Sequence, residues 1–407
     1  MRSAKTRVYF LAAVAAILIL ATFIYIFWAA SPEISPEKKT STNISQISEK
    51  EKVAEEQKTT AEQKKAKAIS FSKIVPYTEG HVYKLAWGEY NNDGLPDLAI
   101  ANYNRDNYLF INNGNGTFRR YPAFGSGYSL DIKWADFDKN GLQDVLVLRY
   151  NEPSSLYFNN GDGTFTEKKV FSEGYAKTMS VDDFNNDGWP DVFVGYDTGA
   201  NYVYFNLQNK EFREAKIEKF GPLHITSSDS CDLDNDGLKD IVVGTDFQQN
   251  YILINDGDET FTVTPALGKG MHTRAIVCRD LDGDKLPDVI VGNDKQASNT
   301  DKNYVYFNNG NFDFTESSQL GASTTYSIDV GDFNKDGIPD VAIGNYNDQS
   351  YIYINSGSGQ FEKAAVLEKN YVRDIKVVDV DNNGFADVST ALDKNGLNIF
   401  INEIGKA

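Results

Sequence analysis

The chain has 407 residues, with 58 acidic against 40 basic side chains and a formal net charge of −18. That balance excludes a nucleic-acid binder, which needs a basic face. With 41% apolar and 13% aromatic residues the chain can bury a core, whereas two cysteines are too few for a disulfide framework.

The first element is an uncharged run of 23 residues, VYFLAAVAAILILATFIYIFWAA, from Val8 to Ala30. At 1.5 Å per residue it spans a hydrocarbon layer of about 30 Å. Tyr9, Tyr25 and Trp28 stand near its ends, and Arg2, Lys5 and Arg7 precede it. The positive-inside rule then predicts a cytoplasmic stub (1–7), a transmembrane signal-anchor helix (8–30) and an extracytoplasmic remainder, at the cell surface or in the periplasm. A cleaved signal peptide is the rival reading. It would have a shorter apolar region, and Trp28 stands where a small residue is preferred before a cut. Residues 31–68 read as a charged tether, flexible or helical, without an apolar heptad.

From residue 69 onward one pattern recurs. Acidic loops such as EYNNDGLPD, DFNNDGWPD and DLDNDGLKD align on Gly94, Gly141, Gly188, Gly237, Lys285, Gly337 and Gly384, at intervals of 47, 47, 49, 48, 52 and 47 residues. A short strand precedes each loop. A β-branched run follows (DVFVG, DIVVG), then an alternating strand (YVYFN, YILIN, YIYIN), a Gly/Asn turn and a fourth strand. Four-stranded units of this period are propeller blades. The expected fold is all-β: a seven-bladed β-propeller of four-stranded antiparallel blades over 69–407. The last copy lacks a fourth strand, and residues 69–75 (ISFSKIV) have the pattern to supply it.

Each loop sets oxygens at positions 1, 3 and 5 and aspartate at 9, with glycine at 6 in all but the fifth. That spacing suits a calcium ion, which takes six to eight oxygens that alternate side chains of a tight turn bring together. The expected ligands are Glu89, Asn91, Asp93 and Asp97; Asp136, Asp138, Asn140 and Asp144; Asp183, Asn185, Asp187 and Asp191. They continue with Asp232, Asp234, Asp236 and Asp240; Asp280, Asp282, Asp284 and Asp288; Asp332, Asn334, Asp336 and Asp340; Asp379, Asp381, Asn383 and Asp387. The alternative is an Asx turn in which the same side chains bond backbone amides. Up to seven Ca²⁺ ions are expected, at unequal sites. Lys285 occupies a position that needs a left-handed backbone, Glu89 is one methylene longer, and Asn140 and Asn383 lower the charge. The third, fourth and sixth loops are expected to bind best.

The stretches DFNNDGWPDVFVGYDTGANYVYFN and DFNKDGIPDVAIGNYNDQSYIYIN resemble FG-GAP-like repeats of the VCBS type, related to those of integrin α-subunit propellers. The resemblance covers residues 69–407 in seven copies. It implies a calcium-binding propeller of secreted or surface proteins, often with adhesion or glycan-binding roles. The Phe-Gly and Gly-Ala-Pro tags of integrins are missing, so an integrin-type ligand is not carried over.

Eight residues before each loop stand His81, Tyr128, Tyr175, His224, His272, Thr324 and Tyr371. One such residue per blade is expected to ring the channel opposite the calcium loops. His81, Tyr128, Tyr175, His224, His272 and Tyr371 are therefore candidate ligand-binding residues; the alternative is that they pack between blades. Cys231 and Cys278 read as two buried thiols, or as one bridge in an oxidising compartment. The functional expectation is a membrane-anchored binding or adhesion module for glycan or protein ligands. An envelope-complex scaffold is the alternative, and a polysaccharide-active enzyme a further one: Asp131, Asp229, Asp329 and Asp374 offer carboxylates, but no motif singles out a catalytic pair.

Overall fold

The computed structural model describes residues 69–404 apart from 172–173, 218–223, 269–270, 296–301 and 358. The membrane segment and tether read from the sequence lie outside the described residues. Among the described residues no helix is long and apolar enough to cross a membrane. All the regular structure described is β-strand, arranged as repeated four-stranded antiparallel sheets, consistent with a β-propeller.

The third repeat shows the plan. Ala176–Asp182 pairs with Asp191–Tyr196, that strand with Tyr202–Asn206, and that with Phe212–Lys216. The acidic loop joins the first two strands. The second strand, DVFVGY, is buried at every position, which its continuous apolar run requires. The third alternates as YVYFN, and the fourth is largely exposed, as an edge strand is. The first and second repeats form separate four-stranded sheets. The fourth and fifth join through Asp246 opposite His272. The sixth and seventh join because Phe361–Val378 runs on from the outer edge of one sheet into the inner strand of the next.

The N-terminal strand Phe71–Tyr77 pairs antiparallel with Gly396–Asn402, the third strand of the last repeat, with Phe71 opposite Asn402 and Ile74 opposite Ile399. The sequence expectation for residues 69–75 is met. The apolar cores lie between neighbouring repeats. Leu146, Leu156 and Phe158 of the second pack with Met179, Val192 and Val194 of the third, and Ile100 and Phe110 of the first pack with Ile399 and Ile401 of the last. Each fully buried side chain of this kind contributes roughly 1.5–3 kcal/mol.

One kind of bond pins adjacent repeats. The asparagine ending each third strand donates Nδ2 to the carbonyl at loop position 2 of the preceding repeat: Asn159 to Tyr90 (2.9 Å), Asn206 to Phe137 (3.0 Å), Asn308 to Leu233 (2.7 Å). Asn112 of the first repeat makes the same bond to Val380 of the last, at 2.8 Å.

The fourth repeat departs from apolar packing in its inner strand, ITSSDSC. Ser228 Oγ meets Thr178 Oγ1 at 3.0 Å and accepts from Ser180 Oγ at 2.9 Å, and Ser230 Oγ donates to Asp182 Oδ2 at 3.1 Å. A polar ladder thus replaces the apolar contact there. On the other side of the same strand Cys231 is bridged to Cys278, with Cα atoms 6.1 Å apart. The expectation of two buried thiols is corrected to a disulfide. Both side chains are buried, as expected, but adjacent inner strands bring the two sulfurs together, which a separation of 47 residues in sequence did not reveal.

Candidate functional site

The acidic loops and the inner-strand entrances lie at opposite ends of the sheets. At the loop end, the apolar residue at position 7 packs on the glycine of the hairpin between third and fourth strands: Leu95 by Gly114, Leu142 by Gly161, Leu238 by Gly257.

Within each loop two positions adopt the left-handed backbone. Position 4 holds Asn92, Lys139, Asn186, Asn235, Gly283, Lys335 and Asn382, and position 6 holds the glycines and Lys285, at φ 78°. In the fifth loop the glycine has moved to position 4, and a lysine takes the conformation that favours glycine. The position-1 carboxylate bridges the turn: Asp183 Oδ1 accepts from the Asp187 amide at 3.1 Å and Oδ2 from the Gly188 amide at 2.7 Å. Position 5 accepts from position 7, as in the 2.9 Å bond from the Trp189 amide to Asp187. These Asx-type bonds hold the turn, and they gather the oxygens as well. In four loops three carboxylates each offer an oxygen, all within 4.8 Å of one another: Asp136, Asp138 and Asp144; Asp232, Asp234 and Asp240; Asp280, Asp282 and Asp288; Asp379, Asp381 and Asp387. This all-oxygen donor set fits a hard cation. Of the three loops expected to bind best, the fourth is in this group. The third and sixth place Asn185 and Asn334 at position 3, which bring a carbonyl in place of a carboxylate.

The position-9 aspartate does more than the sequence reading assigned it. Asp191 is fully buried; its Oδ2 accepts from the Phe184 amide at 3.1 Å and its Oδ1 from the Asn206 amide at 2.8 Å. It therefore ties loop, third strand and interrepeat pin into one unit. The pattern recurs from Asp97 with Asn112 to Asp387 with Asn402. Burial pushes these carboxyls up, against the two amides that stabilise the anion. Asp97 and Asp240 reach about 6, and Asp144, Asp191, Asp288, Asp340 and Asp387 about 7; the other loop acids add to the rise. A cation in the loop would offset that cost of burying negative charge.

At the opposite end the candidate ligand residues stand at the seams between repeats. Tyr128 packs on Tyr103, Tyr175 on Tyr150 and Tyr371 on Tyr346, with ring centroids 5.0, 5.2 and 5.1 Å apart. His224 Nδ1 lies 2.9 Å from Asp197, His272 Nδ1 2.6 Å from Asp246 and His81 Nδ1 3.6 Å from Asp393. Each partner sits fourteen residues after the first ligand of the preceding repeat's loop, so tyrosine meets tyrosine and histidine meets aspartate. These contacts match the packing alternative. Of the series, only His81 lines the mouth cavities described next.

Those cavities are walled by residues two positions further along. Tyr83, Leu130, Lys177, Thr226, Arg274, Tyr326 and Arg373 come from every inner strand and converge on one cavity of about 250 Å³. A second cavity of about 420 Å³ shares Tyr83, Leu130, Lys177 and Arg373 and adds His81, Tyr103, Tyr150 and Asp393. The sequence reading placed the channel wall two residues early, because a register irregularity near the start of each inner strand shifts which side chains turn inward. It lies between Val82 and Lys84 in the first repeat and between Val372 and Asp374 in the last. Deeper in the channel, Asp131, Asp229 and Asp329 accept amides of the next inner strand, from Met179, Cys278 and Val377 at 3.1, 2.9 and 2.9 Å. The carboxylates considered for an enzyme thus have structural partners.

No curated protein sequence matches the chain. Among solved structures it resembles a crystal structure of BBS1N in complex with ARL6DN, soaked with lead, with a TM-score of 0.60 and 13% identity over 82% of this chain and 97% of that one. The mercury-soaked counterpart gives 0.57 and 14% over the same shares. At that identity the likeness shows the fold alone. The family model for the FG-GAP-like repeat matches residues 90–147, 183–243, 232–291, 280–343 and 332–390, five overlapping or separate copies that together cover more than half of the sequence. The chain belongs to the FG-GAP-like repeat family.

Proposed function

We propose that the protein is a membrane-anchored binding module. A closed, calcium-stabilised propeller of seven blades is held outside the cytoplasm by residues 8–30 and the tether 31–68, and it presents the channel mouth to glycan or protein ligands. The observation that carries the reading is the convergence of one side chain from every inner strand on the mouth, opposite the acidic loops. Tyrosines, cations and carboxylates meet there, the mixture that fixes a polar ligand by orientation.

Three further observations support the setting. The bonds between last and first repeats, Asn112 to Val380 and Asn382 to Gly94, are those made at internal seams, so closure into a ring is the economical reading. The disulfide suits an oxidising compartment. The oxygens of the acidic loops suit calcium, held by positions 1, 3, 5 and 9, where it would supply charge compensation and fix the turn. A similarly folded protein, BBS1N, is crystallised with ARL6DN, which makes a protein ligand the companion reading to a glycan.

Binding of the full chain to a glycan array, with and without calcium, is the test. Calcium-dependent signal that falls on Tyr83→Ala supports the module. Silence on the array, with one envelope protein recovered by crosslinking, favours a scaffold. Turnover of a polysaccharide would make the mouth an active site.

A further inference from the structure

The inference rests on the proposed binding role of the channel mouth and specifies what it binds. We infer that the mouth is a subsite for a carboxylated sugar, a uronate residue of an acidic glycan.

A protein of net charge −18 places four cations around this one mouth: Lys84 of the first repeat, held 3.1 Å from Asp374, and Lys177, Arg274 and Arg373 from the third, fifth and seventh repeats. Each is fixed in place. Arg373 lies over the rings of Tyr83, Tyr326 and Tyr346, at 5.3, 5.2 and 4.6 Å from their centroids. Its Nε donates to Asp393 Oδ1 at 3.1 Å, and Tyr346 Oη donates to Asp393 Oδ2 at 2.8 Å. Arg274 Nη1 is 3.2 Å from Asp246 and its Nε 3.5 Å from Asp294, and Lys177 is 3.4 Å from Asp197 and over the ring of Tyr150. The guanidinium groups are thereby pre-oriented, and a planar guanidinium suits bidentate capture of a carboxylate.

A uronate makes three chemical demands, and the mouth meets each. Its carboxylate takes a cation. Its hydroxyls need acceptors, which Asp197, Asp246 and Asp393 provide along the same cavities. Its apolar C–H face needs a flat ring, and Tyr83, Tyr103 and Tyr326 line the wall. Outside the mouth, Tyr128, Tyr175, Tyr371 and Phe247 make up four of the eight exposed large apolar side chains among the described residues. They extend the same face for neighbouring sugars of a chain.

A peptide carboxylate fits less well. Extended peptides gain affinity from free backbone donors and acceptors. Here the amides of Tyr103, Tyr150, Asp197, Asp246, Asp294, Tyr346 and Asp393 are all spent on the carbonyls of the residues eight before each loop, at 2.7–3.0 Å. Among the described residues the mouth offers side chains and no open ladder.

The test is calorimetric titration of the full chain in detergent with a uronate trisaccharide and with the same trisaccharide carboxyl-reduced. The uronate is expected to bind at least tenfold more tightly, with affinity falling as salt rises. Lys177→Gln and Arg373→Lys should each lose at least fivefold for the uronate while the melting temperature stays within a few degrees. Lys177→Gln guards against misfolding, since Lys177 lies at the surface of the mouth. Equal affinity for the reduced sugar, lost on Tyr83→Ala, overturns the charge recognition and leaves the binding module standing. Uronate binding unchanged in both charge variants overturns the inference. If neither sugar binds while a protein ligand is captured through Tyr83, the inference fails and the module survives; if no ligand of any kind depends on Tyr83, both fail.

Discussion

The Asp374 carboxylate accepts a hydrogen bond from the Leu85 amide at 2.9 Å, across 289 positions of sequence. Asp131 makes the equivalent bond to Met179 in the next repeat, so the contact between the chain's last and first repeats is of the kind found inside it. Asp374 is fully buried and also meets Lys84 at 3.1 Å and accepts from Ser327 at 2.7 Å. Burial alone would raise its pKa. Lys84, Lys376 and the bonds from Leu85 and Ser327 outweigh that and hold it below the usual carboxylate range.

Replacing Asp374 by alanine leaves a lysine and an amide without their partner, and the expected loss is about 3–5 kcal/mol. A depressed folded pKa means this stabilisation is fully present above the unfolded pKa, about 3.9, and is lost as pH falls through the folded value. Melting curves of wild type and Asp374→Ala should therefore lie far apart at neutral pH and draw together as pH falls below the unfolded pKa and through the depressed folded one. A gap that stays constant on acidification contradicts the assignment.

The asparagine pins should be costly to remove. Asn206→Ala orphans the buried carbonyl of Phe137 and loses the bond to Pro190. The expected cost is about 1–3 kcal/mol. Asn160 is exposed and bonds Thr164 within its own hairpin, so Asn160→Ala should stay within about 0.5 kcal/mol. Urea denaturation of the two variants makes the comparison, and equal midpoints would remove the pins from the account of stability.

The disulfide sits beside the polar ladder of the fourth repeat, in the apolar cluster with Leu233, Val242 and Ile276. Cys231→Ser with Cys278→Ser is expected to cost about 2–4 kcal/mol. Thiol labelling of protein acid-quenched from intact cells and then denatured should find both cysteines blocked before reduction and free after it, and free thiols before reduction would argue against an oxidising compartment.

Much of the fold was legible because the repeat period repeats its turn chemistry. Gly188 and its equivalents fix the loops, alternation fixes the third strands, and the missing last strand pointed to residues 69–75. The channel wall was not legible. A local register irregularity turns Tyr83 and Arg373 inward and leaves Tyr128 and Tyr371 at the seams, and strand periodicity cannot show such a shift. The asparagine ending each third strand was visible in YVYFN and YIYIN, but its partner lies about 70 residues away in another repeat, so spacing within one repeat carried no sign of it. The tyrosine–tyrosine and histidine–aspartate matching was in principle readable, since both members recur at fixed offsets from the loop.

The fifth loop offers the sharpest test of how the acidic loops work. Lys285 holds φ 78°, and its neighbours at position 6 in the other loops are glycines. Non-glycine residues pay roughly 1–2 kcal/mol for that conformation. Lys285→Gly should therefore raise stability by about 1 kcal/mol even in chelator, because the relief is in the backbone. It also removes a positive charge beside Asp280, Asp282 and Asp288, so calcium should bind the variant more tightly. Calcium at 100 times its dissociation constant stabilises a single site by about 2.7 kcal/mol, so wild type should melt higher in calcium than in chelator, and the difference should widen in Lys285→Gly. Gly188→Lys should reverse both effects in the third loop. Scanning calorimetry of the three proteins in calcium and in chelator separates the two contributions. A melting temperature unmoved by chelator in all three would mean that the loops are Asx turns whose carboxylates serve only the backbone.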